Sequence, residues 1–239
     1  MQYFGGKHRI ARKLVEFMPI HPSVDCIEPF VGAASVVSRV GSGQARSRQA
    51  SDLNPALISL WQAVQQGWNP PASLSEEEYQ SARGLSDGDP IKAFAGFGLS
   101  FAGKWFGGYA RNSRGHNYAG SARSSLLRMV PLIDGVVFSC IDYRKREYPS
   151  GAVVYCDPPY QGTTQYQAVE KFDWGAFWGF YAELSQKCFV FVSEYQAPKD
   201  WLCALSIPTR TGIRTAKSGC EPRIEKLWCH KDGLAGACL

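Results

Sequence analysis

The sequence lacks a long apolar run, a C-x-x-C pair and an internal repeat. No hydrophobic stretch approaches the roughly 18 to 20 residues of a membrane span. The opening MQYFGGKHRI has no apolar segment of the secretory-signal kind, so a cytoplasmic protein is expected. Eight cysteines are scattered along the chain without zinc-site spacing, and only Cys229-His230 puts a cysteine and a histidine side by side. No metal is expected. Cysteines in apolar runs such as VDCI, FSCI and VVYC read as reduced thiols acting as small hydrophobes. G-x-G-x-x-G is also missing, which argues against a nucleotide-binding dehydrogenase.

Acid is missing from one place in particular. Residues 104–128, KWFGGYARNSRGHNYAGSARSSLLR, hold Lys104, Arg111, Arg114, Arg123 and Arg128 and no Asp or Glu, in a chain whose net charge is +5. Trp105, Phe106, Tyr109 and Tyr118 are interleaved. A basic, aromatic, glycine-rich segment suits a flexible surface that meets phosphates and stacks on bases. The alternative is a solvated loop whose aromatics face the core. Lys104, Arg111, Arg114 and Arg123 are the candidate DNA contacts.

What is present is ample apolar material, 45% of 239 residues, arranged in alternation. KHRIARKLVEFM (7–18) has helical spacing ended by Pro19, and VDCIEPF (24–30) reads as a short strand closed by Pro29. GAASVVSRV (32–40) reads as a helix, RQASD (48–52) as a strand end, and Asn54-Pro55 opens a further helix. The rhythm breaks at 66–80 and resumes with the strands GVVFSCID (135–142) and AVVYCD (152–157), the helix at 173–186 and the strand CFVFVSEY (188–195). Segments near 202–207 and 223–229 are candidate last strands. The expected architecture is α/β with a mostly parallel sheet, formed by residues 1–67 and 133–239 and interrupted by a largely helical insert at 68–132.

Three loops follow candidate strands: Glu28-Pro29-Phe30-Val31-Gly32, Asp52-Leu53-Asn54-Pro55 and Asp157-Pro158-Pro159-Tyr160. The first is a glycine turn that lets a ligand approach the backbone. The second places an acid roughly 20 residues further on, the spacing that holds ribose hydroxyls in nucleoside-binding α/β folds. In the third, proline holds Asp157 extended at a strand end, where ligands bind in open α/β sheets. Singly each is weak; an Asp before Asn-Pro is often only a helix cap, and Asp-Pro-Pro is common turn punctuation.

Together with FGGK (4–7), EPFVGAAS (28–35), SDLN (51–54), FSCIDY (138–143), KFD (171–173), VFVSEY (190–195) and EKLW (225–228), DPPY (157–160) makes the chain resemble the Dam-type DNA adenine methyltransferases, especially compact phage-borne ones. The resemblance implies a Rossmann-like S-adenosylmethionine-dependent methyltransferase fold with an inserted target-recognition domain, and double-stranded DNA as partner. It implies cofactor contacts from Tyr3, Phe4, Gly5, Gly6, Lys7, Glu28, Pro29, Phe30, Gly32, Asp52, Asn54, Asp142 and Asp157. Asp52 would hold the ribose hydroxyls, and Asp142 would border the cofactor's adenine. The family's F-x-G-x-G has Ala34 at its second glycine, which fits if Ala34 opens a helix with negative φ.

The chemistry expected of Asp157, Pro158, Pro159 and Tyr160 follows from the acceptor. An adenine amine is a poor nucleophile because its lone pair is delocalised; Asp157 and the Pro158 carbonyl can accept its two N–H bonds and direct the lone pair at a methyl group. Tyr160 offers a face to a flipped base, and Tyr166 and Phe172 are candidates to close over it, with ordinary packing as the alternative for both. Other acceptors stay open: cytosine N4, RNA adenine or a protein amide, as does an inactive relative that only binds DNA. In the resemblance, Asp at 157 favours adenine over the Ser and Asn of cytosine and glutamine enzymes. No protein partner is expected, and the insert's composition allows relaxed sequence preference.

Overall fold

Two short strands with no exposed residue form the middle of the sheet: β1, Asp25–Glu28, and β4, Val153–Cys156. Their near-continuous burial is what a parallel strand covered on both faces requires. The computed structural model describes residues 6–113, 115–161, 172–209 and 223–238. β2 (Ser47–Asp52) and β3 (Val136–Cys140) extend the sheet on one side, and β5 (Phe189–Ser193), β7 (Arg223–His230) and β6 (Trp201–Thr209) on the other. The order is β3-β2-β1-β4-β5-β7-β6, parallel from β3 through β5, with β7 antiparallel to both neighbours. The chain winds outward in both directions from β1 and β4. Their carboxyl ends therefore flank the crevice where an open α/β sheet binds ligands. This is a Rossmann-like doubly wound fold, as expected from the sequence.

Strand alternation sorts the two faces. Val153, Tyr155 and Phe191 face helix α1 (Ala11–Phe17) through Ile10, Ala11 and Leu14. Ile27, Val154, Cys156, Val190 and Val192 face helix α6 (Trp174–Leu184) through Phe177, Tyr181 and Leu184. Cys26, Cys156, Cys188 and Cys229 are buried, while Cys140 and Cys203 are exposed.

One helix expected from the sequence is not there. Residues 32–40 form turns and a single 3-10 turn, Val37–Arg39. Gly32 and Ala34 have φ of 43° and 54°, outside any right-handed helix. The Val37 amide donates not to a helical carbonyl but to Glu28 Oε2 at 2.7 Å. The expectation that Ala34 has negative φ is thus corrected: a fully buried alanine holds a left-handed conformation.

Helix α2, Pro55–Gln65, begins as expected, with Asn54 Oδ1 accepting from the Leu57 amide at 3.1 Å. Between α2 and β3 lie α3 (Glu76–Ala82), α4 (Pro90–Ala93) running into a π turn at Phe94–Gly98, and α5 (Tyr118–Ile133), which continues through Pro131. Phe94, Phe97, Leu99 and Leu126 share one core with Leu57, Trp61, Ala50 and Phe138, so these helices pack directly on the α2 side of the sheet. Buried Arg48 of β2 ties their end down, donating to Val40 O (2.8 Å), Leu132 O (2.9 Å) and Asp134 O. A cation there also suits the carboxyl end of α5.

Candidate active site

The loops after β1 and β2 are built as one unit. Val31 donates to Ser51 O at 2.8 Å, and Gly32 donates to Asp52 Oδ2 at 3.1 Å. Asp52 Oδ1 accepts from the Asn54 amide at 3.0 Å, and Trp61 Nε1 donates to Gly32 O at 2.9 Å. Burial pushes the Asp52 carboxyl above its usual range, against the pull of the Asn54 and Gly32 amides. Both Asp52 oxygens thus take backbone donors, and the carboxylate keeps acceptor capacity for a hydroxyl. An acid with two acceptor atoms, beside a glycine turn at the crevice, fits the ribose and methionine portions of S-adenosylmethionine. Asn54 serves as helix cap and as donor to Asp52.

Asp142, beyond β3, holds a different kind of position. It caps the turn Tyr143–Lys145, accepting from the Arg144 amide at 2.8 Å and pairing with the Arg144 guanidinium. That pairing keeps its carboxyl below the usual range. Pairing of Asp52 with Cys140 across β2 and β3 brings Asp142 to the same end of the sheet as Asp52.

At the crevice, Lys7 Nζ lies 2.9 Å from Asp157 Oδ1 and 3.8 Å from Glu225 Oε2 of β7. It also sits 4.4 Å from the centroid of the Tyr160 ring, over its face. The Tyr160 hydroxyl donates to Glu225 Oε2 at 2.8 Å, and its ring meets Tyr195 edge-on at 4.7 Å. Burial works against the Lys7 charge, but Asp157 and Glu225 more than offset it and leave the ammonium above its ordinary range. Burial pushes Asp157 upward, opposed by Lys7. Glu28, fully enclosed, is raised well above the carboxylate range by burial first; the Val37 amide opposes this, while Asp157 and Asp52 add to it.

The backbone around Asp157 is braced from the next strand. Glu194, just past β5, accepts from the Gln161 amide at 3.0 Å and from the Tyr195 amide at 2.6 Å. Its carbonyl accepts from Trp228 Nε1 at 2.8 Å. Tyr155 and Ser193 join β4 to β5 beneath the site through a 2.8 Å hydroxyl bond. Pro158 is buried and Pro159 exposed, as a rigid lip would be.

The structure therefore brings together Lys7, Glu28, Asp157 and Tyr160 in one cluster, and Gly32, Asp52 and Asn54 in an adjoining one. Tyr3, Phe4, Gly5, Tyr166 and Arg114 lie outside the described residues. Gly6 is partly buried beside Lys7, and Pro29 is buried in the turn after β1. Phe30 packs on Tyr143 at 5.4 Å and Phe177 at 5.8 Å. Phe172 joins that ring cluster, 6.1 Å from Phe30, 5.4 Å from Phe177 and 4.9 Å from Trp174, the neighbours expected of the packing alternative. Glu194 and Glu225 lie inside the motifs VFVSEY and EKLW but are not among the site residues expected from the sequence; an acid within or just past a core strand was the available signal.

The basic segment differs from the flexible stacking surface expected. Trp105, Phe106 and Tyr109 pack against the core, and the Tyr109 hydroxyl donates to Leu74 O at 2.7 Å. Gly96 makes room for Trp105, since a Cβ there would fall 2.6 Å from its ring. Lys104 is exposed, Arg111 pairs with Glu76 at the surface, and Arg123 donates to Asn69 Oδ1 at 3.0 and 3.2 Å. Among the described residues the exposed aromatic is one the sequence did not single out: Phe101, 67% exposed, next to left-handed Ala102. Among the described residues no helix is long and apolar enough to cross a membrane.

No curated protein matches the chain. Among solved structures, the rRNA methyltransferase aviRa from Streptomyces viridochromogenes is 12% identical, with 96% of this chain and 87% of that one covered and a TM-score of 0.44. TrmN from Thermus thermophilus is 12% identical (92% and 47% covered, TM-score 0.40), and the 23S rRNA methyltransferase ErmE 10% (97% and 71%, 0.40). At such scores these likenesses add nothing to what the strand order shows. The family match is of another kind: residues 3–85 match the D12 class N6 adenine-specific DNA methyltransferases. That segment contains Lys7, the glycine turn and Asp52.

Proposed function

We propose that the protein methylates N6 of adenine in double-stranded DNA, drawing the target base out of the duplex into the crevice beside Asp157. One observation carries this reading: a buried carboxylate holds a nitrogen cation at 2.9 Å, over the face of a tyrosine and beside a rigid Pro-Pro lip. A site that accepts N–H bonds from Lys7 in this geometry suits a planar amine stacked on Tyr160. When bound, S-adenosylmethionine would supply an electrophilic methyl carbon on a sulfonium, whose sulfur would keep the electron pair of the C–S bond.

The chain's own residues do the positioning. Asp157 accepts one N6–H bond and the Pro158 carbonyl the other, so the nitrogen lone pair points out of the hydrogen-bonding plane. The prolines fix that carbonyl's direction. After transfer the surplus amine proton passes to an Asp157 oxygen and on to solvent. Asp52 holds the ribose hydroxyls, and Asp142 borders the cofactor's adenine. Residues 68–132 act as the target-recognition segment, with Lys104, Arg111, Arg114 and Arg123 on phosphates or guanine edges. DNA of a bacterial or phage-infected cell places the enzyme in the cytoplasm.

The test is to incubate the protein with labelled S-adenosylmethionine and unmethylated duplex DNA, digest to nucleosides and identify the labelled one. Label in N6-methyladenine is expected, falling by about 10²-fold or more in Asp157→Ala. Label in N4-methylcytosine, or in RNA alone, would overturn the reading.

A further inference from the structure

Glu28 closes β1 at the strand's carboxyl end with only 3% of its surface exposed. Among the described residues it takes one hydrogen bond, from the Val37 amide to Oε2 at 2.7 Å, and forms no ion pair. Its surroundings are hostile to a negative charge. Asp157 after β4 and Asp52 after β2 are acids, and Tyr155 and Cys156 of β4 and Cys26 of its own strand gain only negative charge on ionising. Lys7, ahead of α1, is the cation that faces it, and that ammonium lies on Asp157 at 2.9 Å and toward Glu225 at 3.8 Å. A buried carboxylate with no cation paired to it is far less favourable than the neutral acid, so Glu28 keeps its proton. Burial is the main cause, and it holds the carboxyl well above its usual range.

Glu28 also begins the glycine turn that leads to Gly32 and Asp52, the part of the crevice that fits the methionine portion of S-adenosylmethionine. The cofactor's ammonium and sulfonium outweigh its carboxylate by one positive charge. In the spent product, S-adenosylhomocysteine, the sulfur is neutral and the net charge is nil.

We propose that Glu28 gives up its proton to solvent when the positively charged cofactor binds, and regains one once the sulfur is neutral. The proposal rests on the cofactor reading of this crevice and is independent of which base accepts the methyl group. Ionised Glu28 attracts the sulfonium, and neutral Glu28 offers the product no such attraction. The crevice thereby prefers fresh cofactor to spent product, which must leave before the next turnover. One proton leaves Glu28 for each cofactor bound and one returns for each product formed, apart from the proton lost by the target amine.

The test is titration calorimetry of the full chain without DNA, with S-adenosylmethionine and separately with S-adenosylhomocysteine. Buffers of different ionisation enthalpy, from about pH 5 to about pH 8, report the protons released. Wild type should release up to about one proton with the cofactor. Its affinity should then rise with pH, by up to about tenfold per pH unit, until Glu28 of the free protein is itself ionised. Release with the product should be less than about a third of that. Glu28→Gln keeps the size of the side chain and an acceptor for Val37 but has no proton to lose, and titration of the ligands' own amine is common to both proteins. In the variant, release with the cofactor should fall by more than about half, and the preference for cofactor over product near pH 8 should shrink by about tenfold.

Equal release with the two ligands in wild type would overturn the proposal, as would release or preference unchanged by Glu28→Gln. The comparison of two ligands needs only the wild type, so a variant that folds poorly leaves a decisive measurement. A wild type that binds neither ligand overturns the cofactor reading and this proposal with it. Binding of both without proton release overturns this proposal alone.

Discussion

The Gly32 amide donates to Asp52 Oδ2 at 3.1 Å, joining the turn after β1 to the end of β2. The bond fixes the position of an acid that also receives the Asn54 amide. Asp52→Ala leaves both donors unpaired and removes the acceptors proposed for the ribose hydroxyls. Cofactor affinity by titration calorimetry should fall by about 10- to 100-fold, the loss of one or two hydrogen bonds to a charged group. Unchanged affinity would show that the cofactor's sugar lies elsewhere.

Ala34 offers a stability test with an unusual sign. Glycine for alanine at a buried position normally destabilises, through backbone entropy and lost apolar area. Here φ is 54°, which costs an L-residue roughly 1–2 kcal/mol and glycine nothing. Ala34→Gly should therefore leave stability unchanged or raise it by about 1 kcal/mol, a melting shift of about 2–4 °C upward for a chain of this size. A fall of several degrees would refute the left-handed assignment.

The pH dependence of stability should carry the mark of Glu28. Its folded pKa is raised well above the unfolded one, by burial first. The folded state then binds the proton more tightly, so the contribution is full below the ordinary carboxylate range and is lost as pH rises through the raised value. Melting temperature should decline from mildly acidic toward alkaline pH, and Glu28→Gln should make that decline shallower. A wild-type profile that instead climbs across this window, with no change in the variant, would rule out the buried protonated acid.

The basic residues of the insert predict a salt effect. Lys104→Ala, Arg111→Ala and Arg123→Ala should each weaken DNA binding and reduce the slope of log affinity against log salt by about 0.9 for each phosphate no longer neutralised. Arg111 must first give up its surface pair with Glu76, which is worth about 0–1 kcal/mol and so is readily exchanged. Fluorescence anisotropy with a labelled duplex at several salt concentrations measures the slope. An unchanged slope in all three variants would move the DNA to another face.

Much of the framework was legible in the sequence because it is local. Pro19 and Pro29 mark where α1 and β1 stop, Asn54-Pro55 marks the start of α2, and apolar runs mark the buried strands. Each of these is decided within a few residues by sterics and capping. The turn at 32–40 was misread as a helix because its apolar spacing is helical, and nothing within it reveals that Val37 gives its amide to Glu28. The aromatics of residues 104–128 look alike in sequence, yet Trp105 packs over Gly96, while nearby Phe101 is left in solvent. Which ring finds a cavity depends on elements far along the chain.

The sequence by itself determined the α/β class, its strand-helix alternation and the three loops, since hydrophobic period, proline and glycine act at short range. Only the tertiary structure decided that β1 and β4 lie side by side, which sets Glu28 and Asp157 in one crevice although 129 residues separate them. It alone placed Glu225 of an antiparallel strand against Tyr160 and Lys7. A charge pair between distant segments exists only once the sheet is assembled and water has been driven out from between them.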